Sequence, residues 1–203
     1  MKRLICFVIL FIASITANAA PAISADQLVR NTAETMLARI DANRDRIQAE
    51  PEYIYEMVNE VMLPHVDFTR MARWVLGKHW RRANPEQRQQ FVNEFRTLIV
   101  RTYSTALLEY SGQKIDFLPA RGKAGSKQVS VKTEIHPAQG PTIPITYSLY
   151  ENDDAQWKVY DVSIDGISLV NNYRTSFSSQ IRRAGGLNKL INQLQSRNQQ
   201  AKK

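Results

Sequence analysis

Cysteine is almost absent: the 203-residue chain has one, Cys6, in its first apolar stretch. Removal of that stretch leaves no disulfide, no thiol nucleophile and no cysteine-based metal site. Cys6 also stands too near the N-terminus to follow a full apolar run as a lipid-attachment cysteine does. Histidine is scarce too, with His65, His79 and His136 isolated from one another and lacking the short ligand spacing of a zinc site. A phosphate-cradling glycine loop is missing, because residues 122–125 fall between two predicted strands with no helix following. No Gly-x-Ser-x-Gly elbow and no nucleophilic triad is found. Long hydrophobic runs are lacking as well. The longest, residues 4–15, spans about a dozen residues, short of the ~20 a membrane-spanning helix needs. There is no internal repeat and no linker long enough to divide domains.

What is present begins with an export signal. Lys2 and Arg3 precede the apolar run, and Ala17-Asn18-Ala19 supplies the small-x-small cleavage pattern, so residues 1–19 are read as a cleaved signal peptide. Residues 20–203 then form a single exported domain expected to be soluble. About 180 residues suffice to bury a core without covalent staples. The formal charge of +8 falls by two with Lys2 and Arg3, leaving the mature chain basic. Export argues against nucleic acid as the partner. A basic exterior instead suits anionic lipid headgroups or an acidic docking surface.

Taken in order, Ser24 with Gln27 gives a capping-box signature that opens a helix running toward Ala49. Pro51 suits the first turn of a second helix, with Ile54, Met57, Val58 and Val61 as its buried stripe and Leu63-Pro64 as its end. Asp67 caps a short third helix that Gly77 terminates. Asn84-Pro85 starts the longest helix, on which Phe91, Phe95, Leu98, Ile99, Ala106, Leu107 and Tyr110 recur at helical spacing; Gly112 ends it. The period then becomes two around Ile115 and Phe117, from Val129 to Ile135, and from Ile143 to Leu149, with turn signals between. Residues 157–164 alternate likewise, and Asp165-Gly166 breaks the pattern. From Ser168 the period is helical again through Val170, Tyr173, Phe177 and Ile181. Gly185-Gly186 then precedes a short helix with Leu187, Leu190, Ile191 and Leu194, and the polar tail after it is expected to fray.

The predicted class is α+β: a curved antiparallel sheet of at least four strands, packed on one face by helices. The strand that turns at Asp165-Gly166 into an apolar-faced helix makes a corner at which an apolar cavity between sheet and helices is expected. For catalysis the one constellation to weigh is a phenol with an acid, among Tyr147, Tyr160, Asp161 and Asp165. Strict alternation sets Tyr160 and Asp161 on opposite faces, which leaves Tyr147 with Asp165. Asp165 before Gly166 is more simply a turn residue.

Two stretches carry a family likeness. VDFTRMARWVLGKHWRRANPEQRQQFVNEFRTLIVRTYSTAL (residues 66–107) and WKVYDVSIDGISLVNNYRTSF (residues 157–177) resemble the MlaC, or toluene-tolerance, family of phospholipid-binding proteins of the periplasm. The likeness covers essentially all of the mature chain. It implies a curved sheet of the cystatin or NTF2 kind, with phospholipid acyl chains held between sheet and helices as cargo and no cofactor. It also implies a carrier without covalent chemistry, passing lipid between an outer-membrane lipoprotein–porin complex and an inner-membrane ABC transporter with its substrate-capturing ring, and so maintaining outer-membrane lipid asymmetry. The chain is expected to act as a monomer. Drawn from the apolar faces above, the expected lipid-contacting wall is Ile99, Tyr103 and Leu107 of the long helix, Ile145, Tyr147, Leu149, Tyr160 and Val162 of the sheet, and Leu169, Val170 and Tyr173 of the closing helix. Two rivals stand beside the carrier: a cavity enzyme of the ketosteroid-isomerase type acting on a small hydrophobic molecule, and a chaperone or adaptor with an exposed apolar groove.

Overall fold

The computed structural model describes residues 23–123 and 125–200; the predicted signal peptide, residues 1–19, lies outside them. Helix α1 (Ala25–Ala42) begins at the Ser24–Gln27 capping box, in which each side chain hydrogen-bonds the other's backbone N–H. The predicted continuous helix to Ala49 is broken at Asn43, whose side chain donates to the Arg39 carbonyl and whose backbone leaves the helical region. A separate α2 (Arg44–Ala49) follows. Next come α3 (Tyr53–Val61), a single 3-10 turn (Leu63–His65) and α4 (Phe68–Leu76), which Asp67 caps by accepting from the Arg70 N–H at 2.8 Å. Gly77 ends α4 with φ +52°, a conformation that side-chain-bearing residues resist. It allows a short α5 (Lys78–Arg82) that the periodicity does not reveal. The long α6 (Pro85–Leu108) opens on a second capping box, Asn84 with Gln87.

Five antiparallel strands follow in sequence order across the sheet: β1 (Lys114–Phe117), β2 (Gln128–His136), β3 (Ile143–Glu151), β4 (Trp157–Ile164) and β5 (Ile167–Ser168). Asp165 and Gly166, both at positive φ, make the two-residue turn that joins β4 to β5. Cross-strand register aligns Val131, Tyr147 and Val162 on one face, with Leu149 opposite Val129 and Val159 beside them. Ser130, Ser148 and Asp161 align on the other. The apolar face is covered by α1, whose Ala25, Leu28 and Val29 pack with Val131, Leu149 and Val159.

Helix α7 (Leu169–Ala184) leaves β5 at once. Its start is fixed by Asp161, which accepts from the Ser168 hydroxyl at 2.6 Å and the Val170 N–H at 3.1 Å. Gly185, in the left-handed region, ends α7, and α8 (Leu187–Gln200) turns back. The tail expected to fray is instead helical through Gln200. Buried Asn198 anchors it: its side-chain N–H groups donate to the Glu94 backbone carbonyl and carboxylate at 3.0 and 2.7 Å, and its backbone carbonyl accepts from the Arg101 guanidinium at 3.0 Å. The largest core unites α4, α6, α7 and α8 around Phe91, Phe95 and Phe177. Phe91 and Phe95 stack at 5.6 Å, and Phe177 meets both edge-on. A second core joins α1, α2, α3 and α6.

Candidate functional site

The eleven residues expected to form one wall divide into three groups. Leu149 is fully buried in the packing of α1 on the sheet. Val170 is buried in the helical core, and Leu169 is buried beside it in the chain. These three are core.

Tyr160 lies elsewhere. The register between β3 and β4 shifts between Ser148 and Leu149, so Tyr160 is the extra residue of a β-bulge. The bulge undoes strict alternation and sends the ring to the sheet's outer face. There it meets Tyr150 at 6.0 Å and Trp74 at 5.3 Å, with the Arg70 guanidinium over Tyr150 at 3.7 Å. Asp161 is on that same face, opposite Ser148, which corrects the expectation that Tyr160 and Asp161 oppose each other.

The remaining seven, Ile99, Tyr103, Leu107, Ile145, Tyr147, Val162 and Tyr173, are all half-buried. Five of them border three different cores: Ile99 and Tyr173 the α4–α6–α7–α8 core, Leu107 the α1–α2–α3–α6 core, and Tyr147 and Val162 the sheet core. The main packing partners of α6 are α3, α4 and α8, and no strand is among them. The C-terminal half of α6 thus makes its main contacts with helices and not with the sheet, and the boundary between them, the seam, is bordered by apolar side chains that keep accessible surface.

Electrostatics along this seam are neutral. Burial, first, and then the neighbouring Tyr173 hydroxyl push the Tyr103 phenol up to about 12. Burial raises Tyr147 too, with the nearby Thr133 hydroxyl acting in the opposite sense. Tyr147 keeps accessible surface although it lies deep among protein atoms, as a side chain bordering an internal gap does. No carboxylate acts on either phenol, and Asp165 is an exposed turn residue. Such phenols hydrogen-bond but do not exchange protons near neutral pH. Among the described residues no group of His, Cys, Asp and Glu is arranged to hold a metal. His136 hydrogen-bonds Asp116 at 2.9 Å and Thr142 at 3.1 Å.

Two open grooves share Asn59, Asn93 and Arg96: one of about 610 Å³ between α6, the 3-10 turn, the start of α4 and the β3–β4 hairpin, and one of about 570 Å³ along α3 and α6. Their lining is rich in amides and cations, and none of the eleven residues takes part. Alternation gave no sign of these grooves, because their polar residues carry no period. Thr133 and Val131 on β2 do face the seam's side of the sheet, a placement the alternation of residues 129–135 already contained.

Comparison with known proteins places the fold among relatives. The family model described as MlaC protein matches residues 30–196. The chain is 31% identical over 159 residues to toluene tolerance protein ttg2D of Pseudomonas putida, covering 78% of this chain and 73% of that protein. It is 27% identical over 170 residues to the intermembrane phospholipid transport system binding protein MlaC of Haemophilus influenzae, covering 83% and 79%. A solved phospholipid-binding protein from Ralstonia solanacearum, in complex with a phospholipid, superposes with a TM-score of 0.82 at 29% identity, over 89% of this chain and all of that one.

Proposed function

The chain belongs to the MlaC protein family, and from that premise we propose that it is a periplasmic phospholipid carrier whose cargo chains lie along the seam between α6, α7 and the sheet. The observation that carries this reading is the superposition of 89% of its length on the whole of a protein solved with phospholipid bound. The half-buried apolar residues supply what acyl chains require: surface that is inward, apolar and not already matched by a close-packed neighbour. The phenols of Tyr103 and Tyr147, both raised by burial, border the same seam, with the Tyr173 side chain beside them.

Burial energies explain why a carrier is needed. Each methylene moved out of water is worth about 0.8 kcal/mol, so exposing two ~16-carbon chains costs on the order of 20 kcal/mol. A bilayer hides the same methylenes, however, so the protein need only match the membrane. A weak net preference permits both loading and release, and direction comes from partners. The proposed partners are an inner-membrane ABC transporter with its substrate-capturing ring and an outer-membrane lipoprotein–porin complex. The exchange serves outer-membrane lipid asymmetry. In this reading residues 20–203 act as one domain, bound phospholipid is cargo, and no covalent step occurs.

Lack of a carboxylate beside the buried phenols speaks against the cavity-enzyme alternative. Mass spectrometry of organic extracts from freshly purified protein tests the proposal. Phospholipid at near-stoichiometric amounts is expected, and its absence overturns the carrier reading.

A further inference from the structure

Charge is distributed unevenly over the molecule. Helices α1, α2 and α3 mix both signs, and their cations are paired: Arg30 with Glu34, Arg39 with Glu60, Arg44 with Asp41 and Arg46 with Glu50. Helices α4, α5, α7 and α8 contain no Asp or Glu at all. These four pack as one body, α7 lying against both α4 and α8 and α5 following directly on α4. Arg70, Arg73, Lys78, Arg81 and Arg82 come from α4 and α5, and α7 adds Arg174, Arg182 and Arg183. Among the described residues no ion pair involves any of these helices.

Geometry shows that these cations converge. The Arg174 guanidinium packs over Gly77, 3.4 Å from where a Cβ would stand, which ties the start of α7 to the end of α4. At the other end, His79 is held below the ordinary imidazole range first by burial and then by Lys78, Arg82 and Arg182. Three acids bordering this flank are occupied. Asp67 and Asp161 cap α4 and α7, and Glu94 accepts from Asn198. Among the cations stands Trp74, 46% exposed, its indole tilted against Tyr160.

We propose that this carboxylate-free flank is a docking surface for an anionic bilayer, with Trp74 entering the headgroup layer among the arginines. Charge complementarity favours this occupant: cations spread over three helices, without ion pairs among the described residues, match the diffuse negative potential of a lipid surface. An exposed tryptophan among arginines is the side chain found at membrane–water boundaries. Neither of the two open grooves is lined by Trp74, Arg73, Arg174 or Arg182. The proposal is independent of what the seam carries. It concerns where the protein meets a membrane, not what it removes from one.

Co-flotation of the full mature chain with vesicles tests it. Binding is expected to phosphatidylcholine vesicles containing about 30% phosphatidylglycerol, and to fall away in about 0.5 M salt or without the anionic lipid. Reversing Arg81, Arg82, Arg182 and Arg183 to Glu should weaken binding by on the order of a hundredfold. Arg44→Glu with Arg46→Glu on the ion-paired side should leave it unchanged, and Trp74→Ala should weaken it severalfold. Circular dichroism and the urea midpoint of each variant confirm folding. Should the fourfold variant be unfolded, Arg182→Glu with Arg183→Glu alone is expected to give at least a tenfold loss. Undiminished vesicle binding by the folded flank variants overturns the proposal. So does native protein that ignores anionic vesicles yet is retained on immobilised poly-glutamate, which would assign the flank to an acidic protein. Phospholipid content measured on the same samples keeps the two readings apart, since cargo can be lost while docking persists.

Discussion

The core around Phe91, Phe95 and Phe177 and the seam beside the sheet are built from the same kinds of residue, and they differ in closure. In the core, rings from α6 and α7 interlock, and Phe91 and Phe95 expose 0% of their surface. Along the seam, Ile145, Tyr147, Val162, Tyr103 and Tyr173 stand on inward faces yet remain half-accessible. Density of packing is thus the quantity that separates holding the fold from leaving room for cargo. Polypeptide chemistry alone does not distinguish them.

Breaking the closed side should have the largest effect. Phe95→Ala is expected to cost roughly 3–5 kcal/mol, read from urea unfolding, because it opens a cavity that rigid helices do not refill. A glutamate at Val170 belongs with this case, since Val170 is buried in that core, and it should unfold the protein and not merely empty it. Next in size is Asn198→Ala, expected to cost about 1–3 kcal/mol, since it strips the anchor of α8 and removes its hydrogen bonds to the Glu94 carbonyl and carboxylate. Hydrogen exchange in the last turns of α8 should rise with it. If α8 stays fully protected, Asn198 is not the anchor.

On the open side the sign of the comparison reverses. Ile145→Glu is expected to cost roughly 1–2 kcal/mol while abolishing co-purified phospholipid. Retained lipid in a folded variant would place the cargo elsewhere than the seam. The smallest effect is a titration. Tyr103 has its phenol raised to about 12, so its neutral form is the one the fold favours. Its contribution to stability is therefore complete below pH ~10, the unfolded value, and is lost as pH climbs toward about 12. Ultraviolet difference spectra should show several late-forming phenolates, since Tyr147 and Tyr150 are raised too, and Tyr103→Phe should remove one of them.

Much of this architecture is legible from residue order. Both capping boxes, the Asp67 cap, the Gly77 and Gly185 terminations and the Asp165-Gly166 turn depend on neighbours within four positions, and each is found where its residues stand. The four principal strands follow from their alternation, and β5 adds a two-residue edge too short to have a period. Failures of the reading have local causes. At Tyr160 one inserted residue reverses a face, and no neighbour in the chain announces the bulge. At Asn198 a polar residue in a polar tail is buried by Glu94 and Arg101, about a hundred positions away.

Sequence by itself determined the α+β order, the capped helix starts, the faces of the sheet outside the bulge at Tyr160 and the absence of carboxylates from residues 68–82 and 169–200, because each is a matter of residue type and short-range spacing. Tertiary structure alone decided which inward apolar residues became solid core and which kept a gap beside them. It also decided that four acid-free helices share one flank. Both depend on which elements come to lie against each other, and a period of 2 or 3.6 residues gives the direction of a side chain but not the distance to what it faces.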